Sequence, residues 1–86
     1  MALTSAFAGV EVFIHTVRAG SFTAAAAHLG VTKSAVAKAV TQLEGRLGVK
    51  LLHRTTRRLS LTPEGAAFFE QAEASLDQLR AAEDAA

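Results

Sequence analysis

Near the start of the chain, large apolar residues recur at intervals of three and four, the spacing of one face of an α-helix. These positions are Leu3, Phe7, Val10, Phe13, Ile14 and Val17. Gly20 follows as a C-cap, so the pattern predicts a first helix over residues 3 to 19. A short second helix is predicted from Phe22 to Leu29, between a capping Ser21 and a closing Gly30.

A third helix is predicted from Lys33 to Leu47, with Thr32 as its N-cap and Gly48 at its end. Its apolar stripe consists of Val36, Val40, Leu43 and Leu47. The opposite face carries Ser34, Lys38, Thr41 and Gly45, with Ala35 and Gln42 beside them. A small, polar and cationic face suits a helix that enters a major groove roughly 12 Å wide and offers hydrogen bonds to base edges.

The period changes after Gly48, where two short β-compatible segments flank a polar, cationic tip. The segments run from residue 51 to 54 and from 59 to 61, and they predict a small hairpin. Leu59 and Leu61 share one strand face and are expected to pack inward. The cations near the tip, well placed to contact phosphates, are Arg54, Arg57 and Arg58.

Thr62, Pro63 and Glu64 predict the start of a fourth helix that continues to the end of the given sequence. The apolar positions of this helix follow the spacing of a coiled-coil seam, and they are Phe69, Ala72, Leu76 and Leu79. We expect Phe68 or Phe69 to close the core of the domain. Leu76 and Leu79 are expected to meet a second copy of the chain.

The length and the charge distribution of the chain limit the functions that fit the sequence. With 86 residues the chain forms one small domain, for which a partner surface adds stability. Residues 31 to 58 carry seven Lys and Arg against Glu44 alone, whereas residues 59 to 86 carry six acidic residues against Arg80. This asymmetry is typical of a polyanion-binding surface, although two ordinary solvated faces account for it equally well.

Catalytic, metal and membrane chemistry are not expected. The chain has no Cys, and its three histidines, His15, His28 and His53, lack the spacing of a metal site. No nucleophile motif, phosphate loop or paired carboxylates indicate an enzyme, so catalytic residues and cofactors are predicted to be absent. His15 is expected to pack, His28 to lie at the surface, and His53 to be a hairpin residue or a pH-sensitive phosphate contact. With neither a membrane span nor a signal peptide, a cytoplasmic protein is expected.

Several stretches together resemble the N-terminal DNA-binding region of the LysR-type transcriptional regulators. They are Ala19-Gly20-Ser21-Phe22-Thr23-Ala24-Ala25, Ser34-Ala35-Val36, Leu43-Glu44, Leu47-Gly48-Val49-Lys50-Leu51-Leu52, Arg54-Thr55-Thr56-Arg57 and Leu61-Thr62-Pro63-Glu64-Gly65. The resemblance implies a mainly α fold: a winged helix-turn-helix of three helices with a short β-hairpin wing, followed by a long dimerisation linker helix. Residues 1 to 62 would form the DNA-binding domain and residues 63 to 86 the linker.

The resemblance also implies roles for individual residues. Base edges in the major groove would be met by Lys33, Ser34 and Lys38, flanking phosphates by Ser21, Thr32, Thr41 and Arg54, and the minor groove or backbone by Arg57 and Arg58. The predicted interface further includes Ala35, Gln42 and Thr55. Lys38 stands where the family often has Arg, and a lysine cannot make the bidentate fork of an arginine.

The implied function is sequence-specific binding of double-stranded DNA as a homodimer in the nucleoid. Members usually act on RNA polymerase in response to a small molecule held by a C-terminal domain. That domain is absent here, so the chain is expected to be a piece of a longer regulator without a small-molecule site of its own. The alternative is a winged-helix module for protein interaction or dimerisation, which would expose large apolar residues on its third helix.

Overall fold

The computed structural model describes residues 2 to 54 and 59 to 86, with side chains described from residue 8 onward in these ranges. Its elements are α1 (Ala2–Ala19), α2 (Phe22–Leu29), α3 (Lys33–Leu47), β1 (Leu52–Arg54), β2 (Leu59–Leu61) and α4 (Pro63–Ala85). The predicted winged helix-turn-helix with a long C-terminal helix is confirmed. The predicted bounds agree with the observed ones to within one residue at each end of the helices.

Capping side chains and glycines define the ends of α2 and α3. The hydroxyls of Ser21 and Thr32 each accept a backbone N–H of the first turn at 3.0 Å. Gly30 and Gly48 follow the two helices with φ of 71° and 75°, a left-handed conformation that glycine adopts without a steric penalty. These local signals explain why the helix-turn-helix bounds could be read from the sequence.

One apolar core joins α1, α3, the hairpin and α4. Its buried members are Phe13, Ile14, Val40, Leu43, Leu51, Leu52 and Leu76. Phe13 is fully buried, and its ring centroid lies 5.7 Å from that of Phe68 and 6.2 Å from that of Phe69. Both phenylalanines of α4 therefore close the core.

A second apolar cluster holds α2 against α3. Ala25, Ala26 and Val36 are its buried members. Because alanine carries only a methyl group, the two helices of the turn motif can approach closely.

The hairpin is a two-stranded antiparallel sheet in which Leu52 pairs with Leu61 and Arg54 with Leu59. Leu59 and Leu61 are half-buried and pack against the core, as predicted. The hairpin therefore joins the domain through its leucines, while His53 and Ser60 on the other face are exposed.

The start of α4 is fixed to the start of the hairpin. The Thr62 hydroxyl donates to the Lys50 carbonyl at 2.6 Å and accepts the Gly65 N–H at 2.9 Å. A Cβ atom at Gly65 would overlap the backbone carbonyl of Leu51, so only glycine fits at this contact. The Thr-Pro-Glu-Gly sequence is thus a helix start and a close packing point together.

For two apolar residues the observed burial differs from the predicted burial. Leu47 was expected to complete the buried stripe of α3, but it is 40% exposed because the last turn of α3 has less cover than the middle of the helix. Leu76 was expected to meet a second copy, but it is 4% exposed and belongs to the core of its own chain. Among the described residues, no helix is long and apolar enough to cross a membrane.

Candidate nucleic-acid interface

The outward face of α3 is exposed along its whole length. The exposed residues are Lys33, Ser34, Ala35, Lys38, Thr41, Gln42 and Gly45. On the inward face Val36, Val40 and Leu43 are almost completely buried. The structure therefore leaves the face predicted to enter the major groove free, and that face holds short side chains, two cations and several hydrogen-bonding groups.

The two N-caps lie beside this face. Ser21 begins α2 and is half-buried, whereas Thr32 begins α3 and is exposed. A hydroxyl has one donor as well as its acceptor lone pairs. Among the described residues each cap hydroxyl takes part only as an acceptor, so its hydrogen can be donated, as a contact with phosphate oxygens requires.

Arg54 lies at the end of β1 and contacts both helices of the turn motif. Its Nη1 donates to Thr41 Oγ1 and its Nη2 donates to Glu44 Oε1, each at 3.1 Å. The guanidinium carbon lies 5.2 Å from the centroid of the Phe22 ring, in a cation–π arrangement. Arg54, which the sequence predicts to contact a phosphate, is therefore already bonded to other residues of its own chain.

Glu44, which was not among the predicted site residues, is a buried carboxylate at the base of the hairpin. Its side chain is only 5% exposed, and Oε2 accepts the backbone N–H groups of Leu51 at 2.9 Å and Leu52 at 3.2 Å. Lys50 Nζ lies 3.9 Å from the other oxygen but is 75% exposed. The available signal was its position, one turn after Val40, on the apolar side of α3.

Three predicted wing residues, Thr55, Arg57 and Arg58, lie outside the described residues. Their roles at the DNA backbone or minor groove stay predictions. In the described part of the wing, the side chain of Arg54 reaches α3, whereas His53 is exposed on the other face of the hairpin.

The residues that are predicted to pair two copies of the chain differ in how deeply they are buried within their own chain. Phe69 and Ala72 are half-buried, Leu76 is buried in the core, and Leu79 is 40% exposed. Of this set, Leu79 is the large apolar residue that α4 presents to solvent.

Two histidines lie outside α3, His15 on α1 and His28 on α2. His15 is half-buried, and its ring centroid is 5.3 Å from that of the exposed His28. Burial lowers the pKa of His15, and the charges of His28, Arg80 and Arg18 lower it further. No group of three or more His, Cys, Asp and Glu residues suited to a metal ion occurs in the described parts of the chain.

Comparison with known proteins shows the family to which the chain is similar. Residues 7 to 66 match the family described as "Bacterial regulatory helix-turn-helix protein, lysR family". The HTH-type transcriptional regulator CrgA of Neisseria meningitidis is 51% identical over 74 residues, which are 86% of this chain and 25% of CrgA. An HTH-type transcriptional repressor of Pseudomonas aeruginosa is 49% identical over 70 residues, 81% of this chain and 22% of the repressor. The chain thus spans about a quarter of the length of these relatives.

Solved structures of similar fold include a DNA complex. The CbnR DNA-binding domain bound to DNA matches with a TM-score of 0.84 and 36% identity, covering 91% of this chain and 90% of that one. The structure of CrgA from Neisseria meningitidis matches with a TM-score of 0.73 and 49% identity, covering 87% of this chain and 26% of CrgA.

Proposed function

The chain belongs to the lysR family of bacterial regulatory helix-turn-helix proteins, and from this membership we propose that it binds double-stranded DNA sequence-specifically as part of a transcriptional regulator. Helix α3 enters the major groove, and Lys33, Ser34 and Lys38 face the base edges. The wing contacts the backbone or the minor groove. Thr41 and the cap hydroxyls of Ser21 and Thr32 serve the flanking phosphates.

The exposed face of α3 is the observation that carries this proposal. Between Ser34 and Gly45 it holds only small, polar and cationic side chains, which permit close approach to a duplex. Of the described residues of α3, Leu47 in the last turn is the one large apolar side chain that is exposed. A docking surface for a protein would need an apolar patch at the centre of this face.

We also propose that two copies pair through α4. This helix has 23 residues and is therefore about 35 Å long, and its last turns are exposed. Leu79, with the half-buried Phe69 and Ala72, offers the apolar contact, and Leu76 supports it from within the core. Pairing would place two copies of α3 in successive major grooves on one side of the duplex.

The proposal extends to a longer protein of which this chain would be one part. The named relatives are transcriptional regulators about four times as long as the matched region. For such a protein we propose a cytoplasmic, nucleoid-associated regulator that acts on RNA polymerase and responds to a small molecule bound outside this chain. No catalytic role is proposed for the residues present.

Selection from a random duplex pool tests the proposed function. The chain is incubated with the pool at moderate salt, bound duplexes are amplified and sequenced, and the oligomeric state is measured by light scattering. Enrichment of a two-fold symmetric motif by a dimer is expected. Salt-sensitive binding without any enriched motif would mean that the chain binds polyanions in general and does not recognise a DNA sequence.

Lys38 tests the orientation of α3. Replacing Lys38 with Ala is expected to cost about 1 to 3 kcal/mol on the enriched duplex and to relax the base preference. Arg46→Ala removes the same charge from the last turn of α3, outside the predicted contact set, and serves as the matched control. Equal effects of the two substitutions on all duplexes would contradict the placement of Lys38 at the base edges.

A further inference from the structure

Three elements meet at Arg54. Its guanidinium group binds Thr41 and Glu44 of α3 through separate nitrogen atoms, and it covers the ring of Phe22 at the start of α2. Arg54 itself belongs to β1, the strand that leads into the wing. One side chain therefore connects the wing to both helices of the turn motif.

Glu44 completes this connection with its second carboxylate oxygen. While Oε1 accepts from Arg54, Oε2 accepts the backbone N–H groups of Leu51 and Leu52, where the chain enters the hairpin. Charge-assisted hydrogen bonds of this kind are short and directional. The carboxylate consequently fixes the direction in which the hairpin leaves α3, which apolar packing alone does not do.

We propose that Glu44 and Arg54 form a wing joint that sets the position of the hairpin relative to α3, and that Arg54 is a positioning residue for Thr41 and not a phosphate contact. This inference rests on the proposed DNA binding. It replaces the phosphate role that the sequence predicts for Arg54, and it makes Glu44 a determinant of specificity although Glu44 is too buried to touch DNA.

The energetics favour an Arg54 that stays in the joint when DNA is bound. Glu44 is 5% exposed, so withdrawal of its guanidinium partner would leave a buried charge with less compensation, which is strongly unfavourable. Lys50, the other cation near Glu44, is 75% exposed and 3.9 Å away, too solvated to replace Arg54. A phosphate would thus have to compete with an existing buried partner.

The joint also orients the Thr41 hydroxyl. Thr41 Oγ1 accepts from Arg54, which leaves the hydroxyl hydrogen to be donated outward from the exposed face of α3. A hydroxyl held in this way is presented to DNA as a donor with a defined direction. Loss of the joint would therefore loosen both the wing and one contact of α3.

The test compares four variants on two duplexes. Glu44→Gln, Arg54→Lys and Arg54→Gln alter the joint, and Arg46→Gln is the control for the loss of one positive charge from α3. Affinity is measured for the selected duplex and for a duplex of random sequence over a series of salt concentrations. Circular dichroism verifies that each variant is folded.

The wing joint predicts a loss of specificity. Arg54→Lys keeps the charge but replaces the planar two-nitrogen fork with a single ammonium group, and it is expected to lower the ratio of specific to random affinity about tenfold. Glu44→Gln is expected to lower the ratio by a similar factor through weaker binding of the selected duplex. The salt dependence of Arg54→Gln should match that of Arg46→Gln.

A phosphate contact predicts the opposite pattern. Arg54→Gln would then weaken both duplexes equally and reduce the salt slope by about 0.9 per protomer beyond the control. Glu44→Gln would release Arg54 and tighten binding to both duplexes. Either result overturns the positioning role.

A measurement without DNA separates this inference from the proposed function. Hydrogen exchange of the Leu51 and Leu52 amides is followed by NMR in the wild type and in Arg54→Lys. If Arg54 holds the Glu44 carboxylate in place, both amides exchange about tenfold faster in the variant, a loss of protection of about 1.4 kcal/mol. Unchanged exchange refutes the joint, whatever the chain binds, whereas faster exchange without an enriched DNA motif refutes only the proposed function.

Discussion

The wing joint and the junction between α1 and α4 hold one small domain together by different chemistry. At the wing joint a buried carboxylate accepts two backbone N–H groups and a guanidinium. At the α1–α4 junction the Phe13 ring packs against Phe68 and Phe69, and an ion pair between Arg18 and Glu73 lies at the surface. The first junction is polar and directional, and the second is mainly apolar.

This difference indicates what each junction contributes. Burial of apolar area is favourable in proportion to the area and depends little on direction, so the α1–α4 junction contributes mostly to the free energy of folding. Hydrogen bonds contribute less net free energy because water competes for the same groups, yet they constrain geometry. The wing joint should therefore affect recognition more than stability.

The largest expected effect is the loss of the Phe13 ring. Phe13→Ala removes a fully buried aromatic side chain and should lower the free energy of unfolding by about 3 to 5 kcal/mol. Because the total stability of a small domain is on the order of 5 to 15 kcal/mol, this loss is a large share of it, and the variant should unfold at a much lower urea concentration. Urea unfolding followed by circular dichroism measures the change, and a loss below that caused by Arg54→Lys would reverse the comparison.

The next largest effect is expected at two glycines, where replacement by Ala should change the free energy of unfolding in opposite directions. Gly65→Ala places a methyl group against the Leu51 carbonyl, where α4 meets the hairpin, and should cost about 1 to 3 kcal/mol. Gly45→Ala adds its methyl in open space within α3 and should stabilise by up to about 1 kcal/mol. Thermal unfolding of both variants measures the difference, and equal shifts would show that close packing at Gly65 is unimportant.

The apolar pattern and the caps made the fold readable from the sequence. Helix bounds depend on local features such as the Thr32 cap and Gly48, so they could be predicted one element at a time. Which side of α4 is covered depends instead on how this helix crosses α1. For this reason Leu76, read as a pairing residue from its spacing, lies in the core.

Of the candidate site, the exposed face of α3 could be predicted from the sequence. Lys38 and Ser34 were placed correctly on the free face of α3 because the helical period alone determines that face. Arg54 and Glu44 could not be paired from the sequence, since their contact depends on the path of the chain through Gly48. A lone carboxylate among apolar positions was the one sequence feature that pointed to a buried partner.

The surface ion pair of the α1–α4 junction should contribute little. Arg18 Nη2 lies 2.8 Å from Glu73 Oε2, but the two side chains are 37% and 34% exposed, so water competes with the pair. A double-mutant cycle with Arg18→Ala and Glu73→Ala should give a coupling free energy of at most about 1 kcal/mol, and high salt should reduce it. A larger coupling would mean that this junction, too, depends on charge.

His15 should make the α1–α4 side of the molecule sensitive to acid. Burial, with His28, Arg80 and Arg18 nearby, lowers the pKa of His15, so the folded state binds a proton less readily than the unfolded chain. The neutral imidazole therefore contributes stability that is complete above the unfolded pKa of about 6.5 and is lost as the pH falls through the lower pKa of the folded state. Replacing His15 with Asn should flatten this part of the stability profile, measured by urea unfolding at pH values on both sides of the window.

Arg80→Gln provides the matched control, because it removes one of the repelling charges while it keeps the imidazole. This substitution should raise the pKa of His15 toward its ordinary value and thereby reduce, without abolishing, the loss of stability in acid. The wing joint lies outside this cluster of charges, so Arg54→Lys should leave the acid response as it is in the wild type. If His15→Asn kept the full acid response while Arg54→Lys removed it, the pH-sensitive group would lie at the wing joint and not on the α1–α4 side of the molecule.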